Sequence, residues 1–266
     1  MSRFITYEKR EKVFRIHLNN PQGSNSLTIH QFLKLKELID QADKDDETFV
    51  TLITSSGRFF SAGANIKSIS KMTGKSEDYY LSEITSKNML LVNVMIRHKK
   101  LLVCALNGPV IGLTASLVCL CDIIYAIDVN KVYMSFPFTA IGLTNECGAS
   151  ASLVARVGLS KALEIICLNK KLSCREMVKL GLVNRAFQFK NIDEFNEYIV
   201  AKLNGKLRHL DGKALLENKS LLKQDFRNKV DSVVLQEGMM GLDKWVANSP
   251  QNAFSAFLKS RRESKI

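Results

Sequence analysis

The sequence predicts an α/β fold: a wound core of strand–turn–helix units, followed by a helical C-terminal region. Three features point there. Apolar runs short enough for buried strands, such as "FVTLITSSG" and "KLLVCALNG", end in glycine turns. A segment with helical spacing or helix-forming small residues follows each turn. From residue 192 onward the pattern is helical throughout and rich in Lys, Leu, Asn and Glu. The expected division is residues 1–195 for the core and 196–266 for the helical region.

Residues 3–18 alternate loosely and read as one or two strands, closed by the turn sequence "NNPQGSNS". Thr28 opens a helix whose apolar face is Phe32, Leu35, Leu38, Ile39 and Ala42. Residues 49–57 form a buried strand ended by Ser-Ser-Gly. One long helix is expected over residues 78–98. "KLLVCALNGPVIG" is a second apolar strand running into a glycine-proline turn, and residues 113–122 form a short helix of small residues. "IIYAID" and "KVYMSFP" are short strands, "GASASLVARVG" is a helix closed by Gly158, and residues 160–187 supply two more short helices. The units recur at offsets of roughly 50 residues without superimposing as text, so they are structural units and not a sequence repeat. The C-terminal helices carry amphipathic faces that pack either on a partner subunit or on their own core.

At 266 residues, 46% hydrophobic and 24% charged, the chain can bury a full core without disulfides or metals. Its 38 Lys and Arg against 26 Asp and Glu give a net charge of +12. That excess is either a solvated basic surface or a complement to an anionic ligand. The basic residues cluster only modestly, at 97–100, 202–208 and 259–265, with no stripe interleaved with aromatics. A phosphate-bearing small ligand therefore fits better than nucleic acid. The six cysteines lie mostly in apolar runs and read as reduced, buried thiols. Cys119 and Cys121 are too close for a zinc knuckle, and no metal is expected. No run reaches the ~18 apolar residues of a membrane span. The chain ends Ser264-Lys265-Ile266, one conservative change from the peroxisomal S-K-L signal. The alternative is a charged tail without a message.

Two segments stand out as backbone devices: "SSGRFFSAGANIKSI" and "NGPVIGLTASLVCLCD". In each, an apolar strand feeds a glycine turn and then a helix or helix-like turn. Side by side, two such turns could aim two N–H groups at one oxygen; alone, they are tight turns. Neither matches a nucleotide fingerprint. Further on, "AIGLTNECGAS" holds one charged residue, Glu146, among small and apolar neighbours. Such a glutamate sits on a turn surface or in a pocket. Cys147 beside it is either a buried or a reactive thiol.

Together, "GRFFSAGANIKSI", "LNGPVIGLTASLVCLCDIIYA" and "FPFTAIGLTNECGASASLVARVG" resemble the enoyl-CoA hydratase/isomerase (crotonase) superfamily, in order over about residues 10–190. Within it the chain is most similar to fungal peroxisomal Δ3,Δ2-enoyl-CoA isomerases. The resemblance implies a spiral of ββα units with a C-terminal helical trimerisation region, assembled as a homotrimer or homohexamer. It implies an acyl-CoA ligand and no separate cofactor, because CoA is part of the substrate. The family's oxyanion-hole amides map to Ala64 and Leu113, within a substrate-binding surface of Ala62, Gly63, Asn65, Ile66, Lys67, Gly112 and Phe138. The two hydratase glutamates map to Ser116 and Phe138, so both carboxylates are missing. Dienoyl-CoA isomerases also use the second of these positions. The isomerase carboxylate maps to Glu146, the expected proton shuttle. Asn88 is either an ordering group for an active-site water or an exposed helix asparagine. Lys67 either approaches the CoA phosphates or is solvated. Asn65 stands where many relatives have Asp. Met72, Leu90 and Leu91 line an acyl tunnel or belong to the core.

The implied function is Δ3,Δ2-enoyl-CoA isomerisation in fatty acid β-oxidation, in the peroxisomal matrix after recognition of the C-terminus by the import receptor. The competing readings are another chemistry of the superfamily, such as thioester hydrolysis, and a non-catalytic acyl-CoA-binding subunit.

Overall fold

The computed structural model describes residues 4–263; the C-terminal tripeptide Ser264-Lys265-Ile266 lies outside the described residues. The strands β1 (Ile5–Arg10) and β2 (Val13–Leu18) form an antiparallel hairpin in which Ile5 faces Leu18. Helix α1 (Ile29–Asp43) starts with a capping box. Gln31 N donates to Thr28 Oγ1, and Thr28 N donates to Gln31 Oε1 at 2.8 Å. Its expected apolar face is buried. Strand β3 (Val50–Ser55) runs parallel to β2 and is buried at every position. A strand covered on both faces needs the continuous apolar run seen in the sequence.

After the short α2 (Ile66–Ile69) come α3 (Glu77–Tyr80), a π-helical turn over Leu81–Thr85, and α4 (Ser86–Arg97). The single helix expected over 78–98 is thus interrupted. A π turn admits an extra residue and rotates the face that follows, and Asn88 lies in the first turn after it. Strand β4 (Leu101–Leu106) pairs with β3, and β5 (Val110–Ile111) leaves that sheet. Then come α5 (Leu113–Leu120), β6 (Ile123–Ala126) beside β4, and β7 (Tyr133–Ser135) beside β5. Gly158 separates α6 (Ala149–Val157) from α7 (Leu159–Cys167). Strand β8 (Leu172–Ser173), helix α8 (Cys174–Lys179) and strand β9 (Arg185–Ala186) complete the core. Two-residue strands show no alternation, so β8 and β9 are absent from the sequence reading. One sheet has the order β1-β2-β3-β4-β6-β9 and the other β5-β7-β8.

The last region comprises α9 (Ile192–Leu207), α10 (Gly212–Leu222), α11 (Gln224–Val246) and α12 (Ser249–Glu263). These helices pack on the core of their own chain. Asn196 of α9 donates to Ser55 O, and Asn204 bridges Lys12 N and Arg10 O. Helix α11 lies against α4 and α6, and α12 against α2 and residues 70–72. Cys104, Cys119, Cys121, Cys147 and Cys174 are buried free thiols, whereas Cys167 is exposed. Among the described residues no helix is long and apolar enough to cross a membrane.

Candidate active site

The two glycine turns lie against each other. Ser61 pairs with Val110 in a parallel bridge, Phe60 N donates to Pro109 O at 3.0 Å, and Ile111 N donates to Ser61 O at 3.0 Å. Gly63, at φ +84°, makes this approach possible: a Cβ there would stand 2.6 Å from Ile111 O. Just beyond these contacts sit the amides of Ala64 and Leu113. The neighbours of Ala64 are fixed, since Leu27 N donates to Gly63 O and Asn65 N donates to Leu27 O. Leu113 is the first residue of α5, where an amide has no intrahelical acceptor, and Gly112 before it is anchored to Ser135 O. Neither the Ala64 nor the Leu113 N–H has an acceptor among the described residues. Asn65, despite being the amide where relatives carry the acid, still caps α2 by accepting from Ser68 N at 3.0 Å.

Ala64 and Leu113 both line an apolar cavity of about 930 Å³, open mouth included. Ala62, Gly63, Ala64, Asn65, Ile66, Gly112, Leu113, Asn88, Phe138 and Glu146 all line it, gathered from separate stretches of chain. Lys67 does not: it is exposed on α2. Met72 also lines the cavity, whereas Leu90 is half exposed and Leu91 belongs to the core. Ser116 is fully buried outside the lining and Phe138 is an apolar wall, so neither hydratase position presents a carboxylate. A second acid in the lining, Glu83, is held by Lys87 at 2.5 Å.

Glu146 is therefore in a pocket, 7% exposed. One oxygen, Oε1, accepts a hydrogen bond from Trp245 Nε1 at 3.1 Å. Burial pushes its carboxyl from the ordinary 4.5 up to about 7, against the Trp245 hydrogen bond and with help from the negative charge of Glu237. At the N-terminus of α6 it is Glu237, not Glu146, that takes the free amides. Glu237 accepts from Gly148 N at 2.6 Å and from Ser150 N at 2.8 Å. Burial also pushes the Cys147 thiol well up, with Glu146 adding to the effect, so it stays a neutral thiol and not a nucleophile. Trp245 and Glu237 were missed in the sequence because they lie about a hundred residues downstream on α11. The one available signal was that the chain has a single tryptophan.

Here a buried carboxylate with a raised pKa and two residues whose backbone amides lack an acceptor line one apolar cavity. The enoyl-CoA hydratase/isomerase family profile matches residues 8–262. The chain belongs to this family. It is 35% identical to the 3,2-trans-enoyl-CoA isomerase of Saccharomyces cerevisiae, over 98% of this chain and 96% of that one. It is 32% identical to the Delta(3,5)-Delta(2,4)-dienoyl-CoA isomerase of Pyricularia oryzae, over the full length of both. An enoyl-CoA hydratase/isomerase structure from Mycobacterium paratuberculosis superimposes with a TM-score of 0.87 at 23% identity, covering 96% of this chain and 99% of that one, which shows the crotonase fold. Within the family the chain is an isomerase.

Proposed function

We propose that the protein is a Δ3,Δ2-enoyl-CoA isomerase of fatty acid β-oxidation that converts 3-enoyl-CoA to 2-trans-enoyl-CoA. The observation that carries this reading is the solitude of Glu146, the one unpaired carboxylate that the described residues present to the cavity. Glu146 removes a proton from C2 of the acyl chain, which is acidic because carbonyl and alkene both delocalise the charge. The dienolate places that charge on the thioester oxygen, where the amides of Ala64 and Leu113 stabilise it by roughly 3–4 kcal/mol for each donor. The same carboxylate, now protonated, returns the proton at C4. A pKa of about 7 suits both halves of this relay near neutral pH. Hydration would need a second group to handle water, and Ser116 and Phe138 do not supply one.

A second reading, Δ3,5,Δ2,4-dienoyl-CoA isomerisation, is supported by the full-length similarity to proteins of that name. It lacks its expected second carboxylate at Phe138. The test is turnover by purified protein of 3-enoyl-CoA and 3,5-dienoyl-CoA substrates of several chain lengths. Formation of 2-enoyl-CoA that Glu146→Gln abolishes is the expected result. Turnover of the dienoyl series alone replaces the first reading with the second, and no turnover of either leaves a non-catalytic acyl-CoA-binding subunit.

Assembly as a homotrimer or homohexamer through the region 196–266 fits the exposed Leu221 and Leu222 on α10. Peroxisomal import fits the C-terminal Ser-Lys-Ile. A fluorescent protein fused ahead of the chain should give puncta that become diffuse when the tripeptide is deleted.

A further inference from the structure

Three residues of α11, spaced four apart, meet the segment that carries Glu146. Glu237 takes the Gly148 and Ser150 amides just beyond it. Gly241 comes so near that a Cβ there would stand 3.5 Å from Glu146 Oε1 and 3.7 Å from Thr144 Oγ1. Trp245 donates to that same Oε1. Residues at i, i+4 and i+8 follow one helix face, so a single helix holds the acid, its loop and the space between them. Glu146 Oε2 has no hydrogen-bond partner among the described residues.

We propose that Trp245 and Glu237 are positioning residues for the isomerase reaction: Trp245 pins one oxygen of Glu146 and leaves the other for the substrate, while Glu237 fixes the loop through the Gly148 and Ser150 amides and stands behind the acid as a second carboxylate. The proposal rests on Glu146 being the base. The two residues act on the basicity of Glu146 with opposite sign. The indole N–H stabilises the carboxylate, and the Glu237 charge disfavours it. The other titratable groups nearby are Cys147, a neutral buried thiol, and the Glu83–Lys87 pair of the cavity lining; Tyr80 stacks on Trp245 with ring centroids 6.3 Å apart. Neither Cys147 nor the closed Glu83–Lys87 pair supplies an opposing positive charge to Glu146.

Because Trp245 is the only tryptophan, its fluorescence reports on its partner without any turnover. Emission of the wild-type protein between pH 5 and 9 should change with a midpoint near 7, and that change should vanish in Glu146→Gln. In the kinetic arm, Trp245→Phe keeps the ring and loses the donor. Its kcat should fall about tenfold with KM nearly unchanged, and the acidic limb of its pH profile should move to higher pH. Glu237→Gln should move that limb to lower pH. Emission that is flat with pH in the wild type overturns the proposal whether or not the variants fold. So does a pair of variants that lose activity with both limbs unmoved or moved in one direction. If the isomerase reading fails instead, no 3-enoyl substrate turns over while the fluorescence titration persists.

Discussion

Two carboxylates in this protein, Glu146 buried and Asp122 largely covered, meet opposite fates. Asp122 lies between α5 and β6, with Lys219 Nζ at 2.7 Å from one oxygen and Lys223 Nζ at 2.7 Å from the other. Leu102 N also donates to it at 2.7 Å. Burial alone would push its pKa up, but Lys223 and Lys219 outweigh it and hold the carboxyl below the ordinary range. Glu146 is just as enclosed and has no cation: one indole N–H faces it, a second carboxylate stands behind it, and it rises to about 7. Burial is common to both, so the partner decides the outcome. A neutralised acid ties α10 and its junction with α11 to the sheet, whereas an acid left without a counter-charge is free to act as a base.

The sharpest break in that comparison is Glu146→Gln. Removal of the proposed proton shuttle should lower kcat by about four orders of magnitude, the upper end of what a general base contributes. Stability should move the other way. The carboxyl titrates at 4.5 when unfolded and at about 7 when folded, so the unfolded chain loses its proton first as pH rises. Stability therefore falls between those values, by roughly 3 kcal/mol in all, and stays low above them. The glutamine variant escapes this loss, and its melting temperature at pH 8 should exceed that of wild type. An equal or lower melting temperature at pH 8 would mean that Glu146 is not held in an unfavourable charged state.

At Asp122 the same acid-to-amide change should do the reverse. Asp122→Asn leaves the buried Lys219 and the partly buried Lys223 without their anion, and breaking a buried pair in this way typically costs about 3–5 kcal/mol. Thermal or urea unfolding reads that loss, while kcat per folded molecule should hold, since Asp122 lies outside the cavity lining. A large loss of kcat in folded protein would erase the distinction between the two acids. Because its folded pKa is depressed, the contribution of Asp122 is present above about pH 4 and lost as pH falls through the folded value.

Gly63→Ala tests the other half of the site. The added methyl would meet Ile111 O, a backbone atom that cannot step aside without parting the two turns, and φ +84° strains the alanine besides. Spreading the Ala64 and Leu113 amides should lower kcat by about 10²-fold, comparable to losing one oxyanion donor, with a stability cost of about 1–3 kcal/mol. Unchanged kcat would show that the two amides do not act together.

What the sequence displayed and what it hid follow from distance along the chain. The glycine turns, Glu146 and the helix start at Thr28 are local patterns, with their physical reasons within a few residues. Even the cavity lining was legible, because "SAGAN" and "VIGL" each place several lining residues at once. Lys67 stays out of the lining for a local reason too: it follows Ile66 in sequence, but on the helix that begins at residue 66 its side chain is exposed. The environment of Glu146 was not legible. Its pKa depends on Trp245, Glu237 and Gly241, about a hundred residues away, and no periodicity links them to "TNECGAS". The pairing of Asp122 with Lys219 and Lys223 is hidden in the same way, since both lysines read as the polar face of a solvated helix.

The smallest effect expected is also the one that bears most on which isomerase this is. Glu83 is the second acid of the cavity lining, but its carboxylate is bound to Lys87 one helical turn on, with the lysine largely covered and the glutamate one-third exposed. An i,i+4 pair of this kind is worth about 0.3–0.5 kcal/mol, so Glu83→Gln should shift unfolding by less than a kcal/mol. If Glu146 works alone, kcat on 3-enoyl-CoA should change less than about threefold, within the range of a minor electrostatic perturbation. The family resemblance implies a second carboxylate for dienoyl-CoA isomerases at the position of Phe138, and with that residue apolar, Glu83 is the other acid of the lining. Assaying Glu83→Gln on both substrate classes therefore separates the two readings. A loss confined to the dienoyl substrate would assign Glu83 a proton-transfer role there, and the contrast between neutralised and bare acids would then hold only until substrate enters and parts the Glu83–Lys87 pair.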